Sequence, residues 1–265
     1  MTKKFNPKNS TCIVTGGSSG IGHALCVELA ERGARNIINF DINEGSFDCD
    51  YYKIDVSDTN ELVETINYVK DQYGDIDLYC SNAGVVSMDN HEDHLVLWKQ
   101  MMDINFYPSV VAMQTCFPDM IEDKHGHFLI TSSAAGLLTM PGSGTYTVTK
   151  HALRALAEWM AVSYTSQGIG IHILCPQGVE SAMTLRDHPY NTQLGKGNIH
   201  GKMMKSSEVS AITLDMMEQG KFMISTHDAV QDYVEHKARD IEDWIHSGKE
   251  MHDTFIQQLF TKKVD

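Results

Sequence analysis

The sequence predicts an α/β fold in which a parallel sheet carries helices on both faces. Short apolar runs typical of buried strands alternate with longer amphipathic runs typical of helices along residues 11–174. Neither an internal repeat nor a Pro-, Gly- or Ser-rich linker divides the chain. A length of 265 residues suits one such unit. We therefore expect a single doubly wound domain with right-handed crossovers.

Each predicted element rests on the spacing of its apolar residues and on the residue that ends it. Gly33 and Gly74 end two helices, and Pro176 ends a strand. In chain order the sequence predicts a strand at residues 11–15, a helix at 21–33, a strand at 36–40, a helix at 60–73, a strand beginning at 78–80, a helix at 95–117, a strand at 128–131, a helix at 147–167, a strand at 170–174 and helices at 208–219 and 230–246.

The region 183–207 lacks the periodicity of a helix or a strand and contains one proline and three glycines. A connection of this length in a compact domain is usually a functional lid or a disordered segment. We expect residues 183–225 to form a substrate-binding loop or lid, and residues 227–265 to form a C-terminal helical extension. The apolar stripe at 250–259 predicts packing on the body of the protein or on a sister subunit.

Composition and charge exclude several classes of function. An apolar fraction of 42% is too high for a disordered chain. The net charge of −14 argues against binding to nucleic acid or to an anionic membrane, because both need a basic face. The cysteines and histidines show no zinc-like spacing, so we expect no metal and a reducing, cytoplasmic location. The sequence predicts neither a secretory signal nor a membrane span.

A glycine-rich turn joins the first predicted strand to the first predicted helix. Its sequence, T-G-G-S-S-G-I-G at residues 15–22, follows the pattern T-G-x-x-x-G-x-G. Glycines allow a tight turn and a close approach to a pyrophosphate, and the N-terminus of a helix offers free N–H groups and a partial positive charge. The strand–turn–helix context therefore predicts a dinucleotide site. The expected cofactor contacts in this turn are Gly16, Ser18, Ser19, Gly20, Ile21 and Gly22.

Asp41 ends the second predicted strand, 19 residues after Gly22. At this position an acidic residue accepts hydrogen bonds from both ribose hydroxyls of NAD. It also repels the 2′-phosphate of NADP, at a cost of about 4 kcal/mol for one charge pair at roughly 4 Å. No Lys or Arg lies in the turn or directly after Asp41, so the sequence favours NAD.

Further motifs follow in a fixed order: D-V at residues 55–56, S-N-A-G at 81–84, Asn105, Ser133, Y-x-x-x-K at 146–150 and P-Q-G-V-E-S at 176–181. Together with the glycine-rich turn they resemble the compact form of the short-chain dehydrogenase/reductase family over about residues 11–183. The resemblance implies a Rossmann-type fold and hydride transfer between an alcohol or ketone and a nicotinamide. It also implies a homotetramer, or a homodimer, built partly through the helices at 95–117 and 147–167. The cofactor positions that it adds are Asp55, Val56, Asn82, Ala83, Gly84, Tyr146, Lys150, Pro176, Gly178, Val179 and Ser181.

The sequence departs from the family pattern at three of these motif positions. Ser81 replaces the first Asn of the N-N-A-G turn. Gln177 replaces the Gly of P-G-x-V-x-T, and Ser181 replaces its Thr. The last two changes lie where the family holds the nicotinamide.

The resemblance also implies a catalytic set of Asn105, Ser133, Tyr146 and Lys150. A free tyrosine has a pKa near 10, so it needs a stabilised phenolate to act as a base at neutral pH. Lys150 lies one helical turn after Tyr146, and its ammonium favours that phenolate. Ser133 polarises the substrate oxygen, and Asn105 is expected to hold a water that links Lys150 to solvent.

The substrate is less defined by the sequence. Ser133, Leu138, Tyr146 and Met183 are the expected substrate contacts, and the apolar residues around Leu138 suggest a substrate with an apolar body. One alternative is a hydroxyacyl or other anionic substrate attracted by the basic residues of the lid. A second alternative is an NAD-binding scaffold or redox sensor without catalysis.

Overall fold

A parallel sheet of seven strands forms the centre of the computed structural model, which describes residues 2–87, 89, 94–181 and 203–261. The described part of the chain contains the strands β1 (Thr11–Thr15), β2 (Asn36–Asp41), β3 (Asp50–Lys53), β4 (Leu78–Ser81), β5 (His127–Thr131), β6 (Gly170–Leu174), β7 (Val179–Glu180), β8 (Met204–Lys205) and β9 (Met223–Ile224), of which all but β7 and β8 belong to this sheet. Their order in the main sheet is β3-β2-β1-β4-β5-β6-β9, and every pair is parallel. The short strands β7 and β8 pair separately. The predicted doubly wound α/β fold is confirmed.

The helices connect these strands and cover the sheet. They are α1 (Gly20–Glu31), α2 (Thr59–Tyr73), α3 (Leu95–Asn105), α4 (Tyr107–Glu122), α5 (Gly144–Tyr164), α6 (Ser206–Glu218), α7 (Asp228–Arg239) and α8 (Ile241–Thr261), with 3-10 turns at Ala134–Gly136 and Thr165–Gln167. No helix in the described part of the chain is long and apolar enough to cross a membrane.

The apolar core lies on both faces of the sheet. In β1, Ile13 packs in the cluster that contains Leu62 of α2, whereas Val14 packs in the cluster that contains Leu25 of α1. Successive side chains of a strand point to opposite faces, so a strand buried on both faces is apolar throughout. This explains why the sequence of β1 shows a continuous apolar run rather than alternation.

Two helices are shorter than the sequence predicts. The predicted helix at 95–117 is interrupted at Phe106, between α3 and α4. Pro108 follows, and it has no N–H to donate to the carbonyl of Ile104, so the helix cannot continue. The predicted helix at 230–246 is interrupted at Asp240, whose backbone is extended. The Asp240 side chain instead accepts a hydrogen bond from the N–H of Asp243, at 3.0 Å, and begins α8.

Two strands of the main sheet have no counterpart in the sequence prediction. The edge strand β3 has only four residues, all of them partly or fully exposed, so its apolar pattern is weak. At the other edge, β9 has two residues. Both strands are held by backbone hydrogen bonds to a longer neighbouring strand, and the local sequence gives no sign of that pairing.

Only part of the predicted lid can be placed. Residues 182–202, which include the predicted substrate residue Met183 and most of the basic positions, lie outside the described residues. From residue 203 onward the segment forms β8, α6 and β9. Val209 and Leu214 of α6 are fully buried in the core cluster shared with α1. In the predicted C-terminal extension, Val230 is buried against the opposite cluster.

Candidate active site

A cleft of about 480 Å³ opens at the carboxyl ends of β1 and β4. These neighbouring strands connect to opposite sides of the sheet, β1 toward β2 and β4 toward β5. Ligands of open α/β sheets bind at such a switch point, where the order of the strands in the sheet reverses. The cleft is lined by the residues that follow β1, β2, β4, β5 and β6, so it collects side chains from most of the sheet.

The glycine-rich turn closes one side of this cleft. Gly16 and Gly20 have left-handed backbones, with φ of 69° and 55°, which glycine adopts at little cost. A Cβ atom on Gly22 would lie 2.1 Å from the carbonyl oxygen of Gly16, so only glycine allows α1 to begin against the turn. Ser19 is the N-cap of α1 but makes no side-chain cap. The first N–H groups of α1 are therefore available to an anion in the cleft.

The Asp41 carboxylate lies beside this turn. It accepts hydrogen bonds from the N–H of Ser18 at 3.1 Å and from the N–H of Asn43 at 3.0 Å. Asn39, in β2, donates a hydrogen bond from its side-chain amide to the hydroxyl of Ser18 at 2.9 Å. Among the described residues that line the cleft, Lys150 is the one cation, and it is bonded at the carboxyl end of β5 rather than beside Asp41.

Thr15 fixes the turn after β4 to the turn after β1. Its hydroxyl oxygen accepts hydrogen bonds from the N–H groups of Asn82 and Ala83, both at 2.9 Å. The Asn82 side chain donates in return to the Thr15 carbonyl at 3.0 Å. These bonds hold Asn82, Ala83 and Gly84 in the wall of the cleft, where the sequence predicts cofactor contacts.

Asn105 holds the next part of the same loop. Its side chain accepts from the N–H of Val85 at 2.8 Å and donates to the Val85 carbonyl at 2.9 Å. It also donates to the hydroxyl of Thr149, on α5, at 3.2 Å. Asn105 is buried and does not line the cleft itself. The water-holding role expected for it stays a prediction.

Ser133, Tyr146 and Lys150 meet in the cleft. Ser133 caps the 3-10 turn by accepting from the N–H of Ala135 at 3.1 Å, and it forms a hydrogen bond with Tyr146. The Lys150 ammonium lies 5.5 Å from the centre of the Tyr146 ring and donates to the Thr131 carbonyl, at the end of β5, at 2.9 Å. Both α5 side chains are almost fully buried.

Burial changes how these two groups ionise. It raises the pKa of Tyr146, while the hydrogen bond from Ser133 lowers the same pKa by a smaller amount. Burial also lowers the pKa of Lys150 to about 8. Perturbed pKa values in a cleft are typical of functional groups. The chain alone therefore does not produce a phenolate at neutral pH, and further positive charge is needed.

Apart from Asn105 and Met183, the predicted site residues either support the cleft from behind or line it. Ser18 and Gly22 lie behind the cleft wall, where they support the turn. The others are part of the lining: Gly16, Ser19, Gly20, Ile21, Asp41, Asp55, Val56, Asn82, Ala83, Gly84, Ser133, Leu138, Tyr146, Lys150, Pro176, Gly178, Val179 and Ser181. Within the described residues there is no cluster of three or more metal-ligating side chains.

The surroundings of Tyr146 are mainly apolar. Val86 and Met140 pack against the buried cluster that contains Tyr146, and Val85, Leu138 and Met203 also line the cleft. Thr139 and Gln177 are neutral polar residues of the described lining. This composition is typical of a pocket for an apolar ligand with few polar groups.

Comparison with known families agrees with this arrangement. Residues 10–189 match the family model of short chain dehydrogenases. The chain belongs to the short-chain dehydrogenase/reductase family. An uncharacterized oxidoreductase of Listeria innocua, similar to this chain, is 29% identical over 210 residues, which cover 73% of this chain and 84% of that protein. The resemblance stated from the motifs is confirmed.

Solved structures of short-chain dehydrogenases share the fold. One from Burkholderia phymatum, in complex with NAD, has a TM-score of 0.79 at 23% identity and covers 90% of this chain and 96% of that chain. Another from Burkholderia cenocepacia, in complex with NADP, has a TM-score of 0.76 at 18% identity and covers 92% and 98%. The shared architecture extends beyond the segment that carries the family motifs.

Three residues that organise the site of this short-chain dehydrogenase were not predicted from its sequence. Thr15 has a usable signal, because it directly precedes the first glycine of the turn. Asn39 and Thr149 have none, because each acts on a residue distant in sequence, Ser18 and Asn105 respectively.

Proposed function

We propose that the protein is an NAD-dependent dehydrogenase that transfers a hydride between a secondary alcohol or ketone and nicotinamide, with Tyr146 as general acid and base. The observation that carries this proposal is the meeting of Ser133, Tyr146 and Lys150 in the same cleft as the glycine-rich turn. Family membership supports it, since the relatives and neighbours include named oxidoreductases.

The cleft fits a nicotinamide dinucleotide on the evidence of its own atoms. Gly16 and Gly20 line the cleft with left-handed backbones, Gly22 lets α1 begin directly against this turn, and the N-terminus of α1 offers uncapped N–H groups for the diphosphate. Asp55 and Val56 line the part of the cleft next to Asp41, where the family holds adenine. When bound, the oxidised nicotinamide accepts the hydride and adds a positive charge to the cleft.

Asp41 supports NAD rather than NADP. Its carboxylate lies where the adenosine ribose would bind, and it is already oriented by two backbone N–H groups. No Lys or Arg of the described lining approaches it to neutralise a 2′-phosphate. At roughly 4 Å and an effective dielectric constant near 20, a phosphate charge would be destabilised there by about 4 kcal/mol.

The acid–base roles follow from the contacts of the three buried groups. Tyr146 takes the hydroxyl proton of the alcohol in oxidation and returns it in reduction. Ser133, already hydrogen-bonded to Tyr146, orients the substrate oxygen toward it. The Lys150 ammonium, 5.5 Å from the centre of the Tyr146 ring, favours the phenolate when it is charged. The carbonyl of Thr131 keeps that ammonium in place.

The substrate is best described as an alcohol with an apolar body. Val86 and Met140 pack against the cluster that contains Tyr146, and Thr139 and Gln177 are neutral polar residues of the described lining. An anionic substrate would need a cation there. The basic positions on which that alternative depends lie in residues 182–202, outside the described residues, except for Lys205, which is exposed.

The test is NADH formation with a panel of secondary alcohols, followed by absorbance, for the wild type and Tyr146→Phe. We expect turnover with NAD and a loss of roughly 10²–10⁴-fold in kcat in the variant, because only the acid–base group is removed. Binding of NAD, followed by calorimetry, should stay within a few-fold of wild type.

Tyr164→Phe is the matched control, because Tyr164 ends the same helix and packs on Phe117, away from the cleft. Its activity should equal that of wild type. A Tyr146→Phe protein that keeps full activity would contradict the role of Tyr146. Tight NAD binding without turnover of any alcohol would favour the scaffold or sensor instead.

A further inference from the structure

The first turn of α5 is capped by a residue that lies far from it in sequence. The Asp89 carboxylate accepts hydrogen bonds from the N–H of Gly144 at 2.6 Å, from the N–H of Thr145 at 2.9 Å, and from the Thr145 hydroxyl. Ser143 occupies the N-cap position but makes no cap; its hydroxyl donates to the Ser87 carbonyl. Asp89 therefore supplies the acceptor that a local N-cap residue normally gives.

The backbone of Asp89 strengthens this connection. Its N–H donates to the Gly142 carbonyl at 3.1 Å. A Cβ atom on Gly144 would lie 3.2 Å from the Asp89 carboxylate, which is tighter than an ordinary contact. Asp89 is thus joined to the start of α5 by backbone and side-chain bonds at positions 142, 144 and 145, and Ser87 of the same loop accepts from Ser143.

The same loop is fixed at its other end to the rest of the cleft. Thr15 holds Asn82 and Ala83, and Asn105 holds Val85. Val85 itself lines the cleft, and so does Val86, which lies between this anchor and Asp89 and packs against the cluster that contains Tyr146. Asp89 is therefore the point at which the pocket wall meets the helix that carries the acid–base group.

Tyr146 directly follows Thr145, whose N–H and hydroxyl both bond to Asp89. A shift in the first turn of α5 therefore moves the Tyr146 hydroxyl relative to Ser133. Lys150 lies a full turn later and is held independently by Thr131. Because misplacing a reacting group by about 1 Å can cost roughly 10²-fold in rate, the position of this turn matters more for chemistry than for folding.

We propose that Asp89 is a positioning residue, which sets the place of the Tyr146 hydroxyl by fixing the first turn of α5 to the loop that lines the substrate pocket. This role rests on the proposed function for its effect on the rate. The hydrogen-bonded cap itself can be measured without any substrate.

The experiment compares the full-length wild type with Asp89→Ala, Asp89→Asn and a control, Asp58→Ala. Asp58 caps α2 in the same manner, accepting from the N–H groups of Asn60 and Glu61, both at 3.1 Å. The measurements are kcat and KM for the alcohol, Kd for NAD, melting temperature, and hydrogen–deuterium exchange of the amides in 142–150.

We expect Asp89→Ala to lower kcat by roughly 10- to 100-fold, with the Kd for NAD within about threefold of wild type and faster exchange at 144–146. Asp89→Asn should recover part of the rate, because its amide oxygen still accepts one N–H. Asp58→Ala should lower the melting temperature by a similar amount and leave kcat unchanged.

A rate within twofold of wild type in Asp89→Ala would overturn the proposal. So would a rate loss matched by equal losses in NAD binding and melting temperature, since that would be a general structural effect. If Asp89→Ala does not fold, Asp89→Asn decides by the same criteria. An inactive wild type would sink the proposed function alone, because exchange at 144–146 still reports whether Asp89 fixes the turn.

Discussion

The two ends of the central sheet use polar residues in opposite ways. At the carboxyl ends of the strands, the N-terminus of α1 is uncapped and the Tyr146 hydroxyl faces a cleft. At the amino end of β5, the buried ring of His127 stacks on that of His172 in β6 at 5.5 Å and hydrogen-bonds to it at 3.2 Å. The carboxyl ends of the strands keep polar groups available to a ligand, whereas at the amino end the polar groups bond to one another.

The amino-end pair is closed by a backbone carbonyl. His172 Nδ1 donates to the Lys221 carbonyl at 2.7 Å, so in the neutral ring Nε2 is the acceptor for His127 Nδ1–H. Nearby, Asp77 accepts from the N–H of Thr11 at 2.8 Å and bonds to His125 at 2.7 Å. Buried polar groups that hydrogen-bond to one another stabilise a fold. Polar groups that still have a free donor or acceptor in a cleft are typical of a functional site.

The largest expected effect that tests this contrast comes from Gly22→Ala at the carboxyl end. The added Cβ would lie 2.1 Å from the Gly16 carbonyl oxygen and 2.6 Å from the Asn82 side chain. Because backbone must move, we expect a stability loss of about 3 kcal/mol or more and loss of NAD binding. Urea unfolding and calorimetric titration with NAD measure both.

Gly248→Ala is the matched control, since nothing lies within 4 Å of a Cβ built there on α8. Replacing a mid-helix glycine by alanine should leave stability unchanged or raise it slightly. Full NAD binding and full stability in Gly22→Ala would show that the turn is not packed against α1 as described.

A smaller effect is expected from acid at the amino end. Burial, together with neighbouring positive charge, lowers the pKa of His127 to about 2, and burial lowers the pKa of His172 to about 4. Both pKa values rise to about 6.5 on unfolding, so below that pH the unfolded state binds more protons. We expect stability to be full above pH 6.5 and to fall by roughly 2 kcal/mol per histidine between pH 7 and pH 5.

Urea unfolding at the two pH values measures this loss in the wild type, in His127→Gln and in His246→Gln. His246 is exposed on α8, so its replacement is the control for a histidine outside the buried pair. His127→Gln should remove about half of the pH dependence. Equal stability of the wild type at pH 7 and pH 5 would mean that the two rings are not held neutral by burial.

The sequence predicts those parts of the carboxyl end of the sheet that are built from local motifs. The glycine-rich turn, Asp41 and the Tyr-x-x-x-Lys pair each lie within one element or one connection. Their geometry follows from glycine conformation and helical periodicity, which are short-range properties. The family model confirms the fold class and the family that these motifs indicated.

The rest depends on contacts between distant residues, which no local pattern reports. Asp89 caps α5 from 55 positions away, and Asn105 holds Val85 from 20 positions away. The breaks at Phe106 and Asp240 were missed because apolar spacing continues through both, although Pro108 marks the first of them. The edge strands β3 and β9 are defined by their neighbours rather than by their own residues.

Binding of the two nicotinamide dinucleotides to the wild type and to Asp41→Ala tests most directly whether the open carboxyl end is an NAD site. Calorimetric titration gives Kd for each. The proposed function predicts that the wild type binds NAD at least tenfold more tightly than NADP, because an acidic residue at the end of β2 accepts hydrogen bonds from the ribose hydroxyls and repels a 2′-phosphate. Asp41→Ala should lose most of that preference. Equal or tighter binding of NADP by the wild type, or no binding of either dinucleotide, would contradict this assignment.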